Sequence, residues 1–128
     1  MLSQASRSAL ADLNNRVALM HHSFFDPQPV SSGVSAFLLR NVTHNWSDED
    51  CVRIFKALVP ALEKSGTDTR VLINDIVLPD LNEAPRFVEQ RLRQVDIMML
   101  VAFGGKQRTK GEFQALLETA DPRYRVCT

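Results

Sequence analysis

The sequence predicts an α/β fold. Three observations carry that prediction: an apolar run at Val34–Arg40, an amphipathic stretch from Ser47 to Lys64, and a second apolar run at Arg70–Val77. Near-continuous apolar runs bounded by turn residues are what a parallel sheet covered on both faces requires. The strand, helix, strand spacing suits a right-handed parallel crossover.

Taken in order, Arg7 to Asn14 is expected to form a short helix, and Arg16-Val17-Ala18-Leu19-Met20 is a brief apolar run suited to a strand. His21 to Pro29 holds two prolines and the pair Phe24-Phe25, so it reads as a loop with buried aromatics, because proline fixes φ and removes a backbone donor. The strand Val34–Arg40 follows. Ser47 is a natural N-cap, and Asp48, Glu49 and Asp50 fill a first helical turn where negative charge meets the positive end of the macrodipole. Cys51, Ile54, Phe55, Leu58, Val59 and Leu62 recur on one face of this helix, which should end near Lys64. Gly66 supplies a turn into the strand Arg70–Val77. After a loop from Pro79 to Pro85, the segment Arg86 to Phe103 is charged at first and apolar later, the pattern of a helix that enters from solvent and ends buried. Gly104-Gly105 stops it. Thr109 caps a last helix through about Thr119 with Phe113, Leu116 and Leu117 inward, and Asp121-Pro122 breaks it before a strand-like Tyr124-Arg125-Val126. There is no internal repeat or flexible linker, and the six prolines are placed at element boundaries, so the chain reads as one packed unit.

Composition narrows the function classes. A chain of 128 residues with 45% hydrophobic content suits a single domain with a modest core. Lys+Arg 15 balances Asp+Glu 15, which argues against nucleic-acid or anionic-membrane partners, since both depend on excess positive charge. No apolar run approaches the roughly 20 residues a bilayer requires, and the N-terminus has no basic start followed by an apolar stretch, so a cytoplasmic protein is expected. Cys51 and Cys127 lie far apart without metal-ligand spacing, which indicates structural thiols and no metal site.

Ligands of open α/β sheets sit at the carboxyl ends of the strands. Here those ends are polar: Arg40-Asn41-Val42-Thr43-His44-Asn45-Trp46 follows one strand and Asn74-Asp75 closes the next. A His and an Asp can therefore face one crevice. A His in this setting is either a hydrogen-bonded structural residue or a general base. Trp46, a large aromatic beside a helix start, is expected in the core rather than on a substrate wall.

The string Leu38-Leu39-Arg40-Asn41-Val42-Thr43-His44-Asn45-Trp46-Ser47-Asp48-Glu49-Asp50-Cys51 closely resembles the LxRxxxHDWSDEEC signature of the plant and fungal caffeate-type O-methyltransferases. Three further stretches match that family in the same order: Phe24-Phe25-Asp26-Pro27-Gln28-Pro29, Leu72-Ile73-Asn74-Asp75-Ile76-Val77-Leu78-Pro79 and Gly104-Gly105-Lys106-Gln107-Arg108-Thr109. The resemblance covers nearly the whole chain. It implies that His44 is the general base that removes a proton from a substrate hydroxyl, so that the oxygen can attack the methyl group of S-adenosylmethionine. It implies that Asp75 and the position of Gln107 orient the imidazole, with an amide at 107 where the family carries a carboxylate. Asn45 maps to a substrate contact, and Ser23, Phe24 and Arg40 map to the cofactor shell.

The resemblance also implies a partial Rossmann-like methyltransferase sheet of about three or four mainly parallel strands flanked by helices. The family's Gly-rich cofactor turn, its first two sheet strands and its helical dimerisation domain have no counterpart in residues 1–128, so a single partial catalytic domain is expected, inactive alone. In the family's sheet the two strands without a counterpart separate Arg16–Met20 from Val34–Arg40. An exposed edge is therefore expected, closed by these neighbours, by homo-oligomer formation or by a partner chain, or else left open in a marginally stable isolated chain. The substrate implied is a phenolic or polyketide-like small molecule. The alternatives are a non-catalytic interaction module or relic, and a non-methylating cyclisation catalyst in which His44 and Gln107 donate hydrogen bonds.

Overall fold

The computed structural model describes residues 16–29 and 33–127. Strand β1 (Ala36–Arg40) leads through a 3₁₀ turn (Thr43–Asn45) into helix α1 (Asp48–Ser65) and strand β2 (Arg70–Asn74). Strand β3 (Val77–Leu78), helix α2 (Arg86–Phe103), strand β4 (Arg108–Thr109) and helix α3 (Lys110–Ala120) complete the order. The strands pair in parallel as two ladders, β1 with β2 and β3 with β4. The α/β class and the parallel crossover therefore stand, but the sheet is divided, because the expected strand Arg70–Val77 breaks at Asp75 and Ile76 and resumes as β3.

Helix α1 forms where the sequence places it. The Ser47 hydroxyl accepts from the Asp50 N–H at 3.2 Å, and three acidic residues fill the first turn. Its buried face, with Cys51, Ile54, Phe55 and Leu58, packs on Leu39 of β1 and Leu117 of α3, with Phe37, Val71 and Ile73 around them. Burial of an Ile, Phe or Leu side chain contributes about 1.5–3 kcal/mol. Three such residues in one helix outweigh the roughly 3 kcal/mol cost of an interior proline. That balance explains Pro60, which lies inside α1 on an exposed position and not at an element boundary as expected.

The sheet is covered on one face only, which corrects the expectation of burial on both. Phe37, Leu39, Val71 and Ile73 point to α1, whereas Leu38 is 62% and Leu72 is 49% exposed on the opposite face. Three further expectations change. Residues 16–20 form no strand and are exposed, so they do not close against β1. Helix α2 has no buried residue, and its apolar end carries exposed Ile97, Met98, Leu100, Val101 and Phe103, so it does not end buried. Tyr124–Val126 forms no strand. It is held instead by the Tyr124 hydroxyl donating to the Phe55 carbonyl at 2.9 Å and by the Val126 N–H donating to Gln114 Oε1 at 3.0 Å. The helix expected at Arg7–Asn14 lies outside the described residues.

The remaining boundaries agree with the sequence. Gly104, at φ 67°, ends α2 in the left-handed conformation that glycine adopts without a side-chain clash. Thr109 caps α3 in a full capping box with Glu112, and Phe113 and Leu117 turn inward. Helix α3 thereby lies against α1.

Candidate active site

The site grows from the register of β1 and β2. Arg40 pairs with Asn74, so the residues that follow each strand emerge together at one end of the sheet. Asn41 then takes a positive φ of 53°, a conformation asparagine tolerates, and its N–H donates to the Asn74 carbonyl at 3.0 Å. This turns the chain into the 3₁₀ segment and sets His44 over Asp75.

The Asp75 carboxylate is a hub. Its side chain is 1% exposed, and Oδ2 accepts from the Thr43 N–H at 3.0 Å and from the Thr43 hydroxyl. Oδ1 lies 2.6 Å from Nδ1 of His44. A carboxylate only accepts, so this contact assigns the ring proton to Nδ1 and leaves the lone pair on Nε2. Among the described residues Nε2 has no hydrogen-bond partner, and the His44 side chain is 17% exposed. A neutral imidazole held in one tautomer with its second nitrogen available can accept a proton from a bound hydroxyl.

A second loop closes on the same turn from behind. Gly105 is buried against it so closely that a Cβ there would fall on the His44 carbonyl oxygen and within 2.9 Å of Asn45 Cα. Arg108, 1% exposed, donates to the Thr43 carbonyl at 2.8 Å, the Trp46 carbonyl at 2.8 Å and the Asp48 carboxylate at 2.9 Å. Burial pushes the Asp48 carboxyl up, but the hydrogen bonds from Arg108 and Lys106 outweigh it and hold it below its ordinary value. The Cys51 thiol also reaches the Thr43 carbonyl, at 3.4 Å, and desolvation raises it to about 11.

The other expected site residues are dispersed. Gln107 is 3% exposed; its N–H donates to Asp96 Oδ1 at 2.7 Å, and among the described residues its Oε1 has no partner. It makes no hydrogen bond to His44. Asn45 is half-buried in the 3₁₀ turn, and Arg40 is exposed at the end of β1. The exposed Ser23 accepts from the Phe25 N–H at 3.3 Å within its own turn. Phe24 stacks in a cluster with Phe25 and Trp46, at centroid distances of 5.0 and 5.5 Å. Trp46 thus belongs to the core margin, as expected.

Ser23, Phe24 and Arg40 are placed apart in their local contacts: the Ser23 hydroxyl accepts from its own turn, the Phe24 ring meets two aromatics, and Arg40 faces solvent. Cavities of about 350 and 400 Å³ are lined by Val77–Asp80 with α2 and by Gly33–Ser35 with Ser65–Thr69, and neither includes any of the three. Among the described residues there is also no cluster of acidic, His or Cys side chains that could hold a metal ion, and no helix long and apolar enough to cross a membrane.

Sequence reasoning missed Thr43, Gly105, Asp96 and Arg108. Arg108 and Gly105 lay inside a quoted motif, but no spacing rule distinguishes a buried arginine from an exposed one. Gly-Gly was sufficiently explained by the helix stop.

Fold and site define an α/β protein with a carboxylate-held histidine at the carboxyl end of parallel strands. The chain belongs to the O-methyltransferase domain family, whose model matches residues 1–122. It is 49% identical over 126 residues to O-methyltransferase sol2 of Alternaria solani, a match covering 98% of this chain and 29% of that protein. Its fold superposes on the crystal structure of TnmH with a TM-score of 0.72 and 30% identity, covering 91% of this chain and 33% of the other. A similar likeness, TM-score 0.67 and 30% identity over 91% of this chain and 32% of the other, holds for NcsB1. That O-methyltransferase, from neocarzinostatin biosynthesis, was solved with S-adenosyl-L-homocysteine and 1,4-dihydroxy-2-naphthoic acid. The chain spans about a third of the length of the relatives it matches.

Proposed function

We propose that this chain is the base-bearing segment of an O-methyltransferase catalytic domain of secondary metabolism. The observation that carries the reading is the 2.6 Å contact between Asp75 Oδ1 and His44 Nδ1, with Nε2 unpartnered among the described residues. In this reading the substrate hydroxyl gives its proton to Nε2 as the oxygen becomes nucleophilic, and the Asp75 carboxylate faces the positive charge that develops on the ring. The acceptor is a phenolic or polyketide-like small molecule, a class consistent with the naphthoic acid bound by NcsB1. Asn45 faces that acceptor, and Gln107 supports the histidine turn from behind.

The methyl donor of this reading is S-adenosylmethionine, held by parts of the catalytic domain that residues 1–128 do not supply. The chain alone is therefore inactive. In this reading a second copy or a partner chain covers the exposed sheet edge.

A chimera tests the proposal: the segment of sol2 that matches this chain is replaced by the 126 matching residues of this chain, and methylation of that enzyme's own acceptor is followed. Retained methylation supports the reading; a folded chimera without turnover argues against it. Calorimetric titration of the isolated chain with S-adenosylmethionine separates the second claim. No heat of binding is expected, and micromolar affinity would contradict it.

A further inference from the structure

Arg108 has no role in the reading so far, although it is the largest fully buried side chain described. A buried guanidinium is costly unless every donor is used. Here each edge is. Nε and Nη2 meet Asp48 Oδ1 at 2.9 and 2.8 Å, Nη1 meets the carbonyls of Thr43 and Lys106 at 2.8 and 3.2 Å, and Nη2 also meets the Trp46 carbonyl at 2.8 Å.

The two carbonyls that belong to the histidine turn, Thr43 and Trp46, bracket His44 and Asn45. Asp75 grips the donors at the start of that turn, namely the Thr43 N–H and hydroxyl and the imidazole itself. Arg108 grips the acceptors at both ends, while Gly105 fills the space behind the peptide between them. The His44 backbone is thus held from opposite sides by groups of opposite charge, each matched to the peptide dipoles it meets. The fork geometry of arginine makes this possible, because a lysine carries one point of charge and cannot span Asp48 and two carbonyls together.

We infer that Arg108 is a positioning residue for the His44 base: by clamping the Thr43 and Trp46 carbonyls it fixes the turn at the height where Nδ1 meets Asp75. The inference rests on the proposed role of His44, but its test reads the imidazole ring itself and not turnover. The two claims can therefore fail separately.

The experiment is long-range ¹H–¹⁵N spectroscopy of the full chain with ¹⁵N-labelled histidine. In the native chain His44 is expected as the Nδ1–H tautomer with a downfield Nδ1 proton. Arg108→Lys keeps a cation beside Asp48 but loses the fork. Its amide spectrum should remain dispersed while the Nε2–H tautomer of His44 rises to about a tenth of the population or more and the downfield proton broadens. An Arg108→Lys chain with native dispersion and an unchanged His44 tautomer overturns the inference. Should Arg108→Lys not fold, Asp48→Ala serves in its place, since it removes the oxygen that accepts from Arg108 Nε and Nη2 at a half-exposed position and leaves the carbonyl contacts available. It should move the same signals in the same direction by less, and an unaltered His44 spectrum there also overturns the inference.

Discussion

Asp75 Oδ1 lies 2.6 Å from Nδ1 of His44, and its partner oxygen is taken by the backbone and hydroxyl of Thr43, so one carboxylate sets both the tautomer of the ring and the start of the turn that carries it. Asp75→Asn separates these duties. An amide oxygen can still accept from Thr43, but its NH₂ then faces Nδ1 and drives the ring proton to Nε2, where the lone pair is required. In the chimera with sol2, kcat should fall on the order of 10²–10⁴-fold with little change in KM. Steady-state kinetics check this, and a loss below about threefold would contradict the tautomer assignment.

Gly105 predicts a structural effect at the same turn. Gly105→Ala places a methyl group on the His44 carbonyl oxygen, and backbone cannot yield as a flexible side chain can. The substitution should destabilise the fold by about 2 kcal/mol or more. Gly104→Ala, where nothing meets the new Cβ, should cost only the strain of its positive φ, about 1 kcal/mol. Paired urea melts compare the two, and equal midpoints would contradict the close approach.

The two thiols should behave differently. Cys51 is buried, and desolvation raises it to about 11, whereas Cys127 is exposed. At pH 8 a thiol-specific reagent should modify Cys127 quickly and Cys51 only after denaturant is added. The linkage sign follows from the raised value. Folding favours the neutral Cys51 thiol, so its contribution is complete below its unfolded value of 9.0 and is lost as pH rises toward about 11. A Cys51→Ala chain should lose this part of its alkaline sensitivity. Two equally fast thiols at pH 8 would contradict the burial.

The one-sided sheet predicts association. Leu38 and Leu72 project from the face opposite α1, where an uncovered apolar surface favours contact with another chain. Sedimentation should show concentration-dependent association of the native chain, relieved by the pair Leu38→Lys and Leu72→Glu. Identical behaviour of the two would assign the association elsewhere.

Much of this was legible in the sequence, for identifiable reasons. Ser47, Thr109 and Gly104 announce their elements because caps and left-handed turns are local chemistry, and His44 and Asp75 meet because parallel register carries their strand ends to one place. Local patterns do not report what covers a surface. Arg16–Met20 and the end of α2 are apolar enough for strand and core, yet both are exposed, since burial depends on a partner that periodicity does not encode. Pro60 stays helical because packing on either side of it outweighs its intrinsic cost. Arg108 was unreadable as a clamp because its partners lie 60 to 65 residues away.

The most direct test of the central claim is His44→Ala in the chimera with sol2, followed by the rate of methyl transfer at saturating donor and acceptor. With His44 as the base, kcat should drop at least about 10²-fold while the chimera keeps its native melting temperature within a few degrees. Turnover within about threefold of the parent chimera would contradict the assignment of His44 as the base.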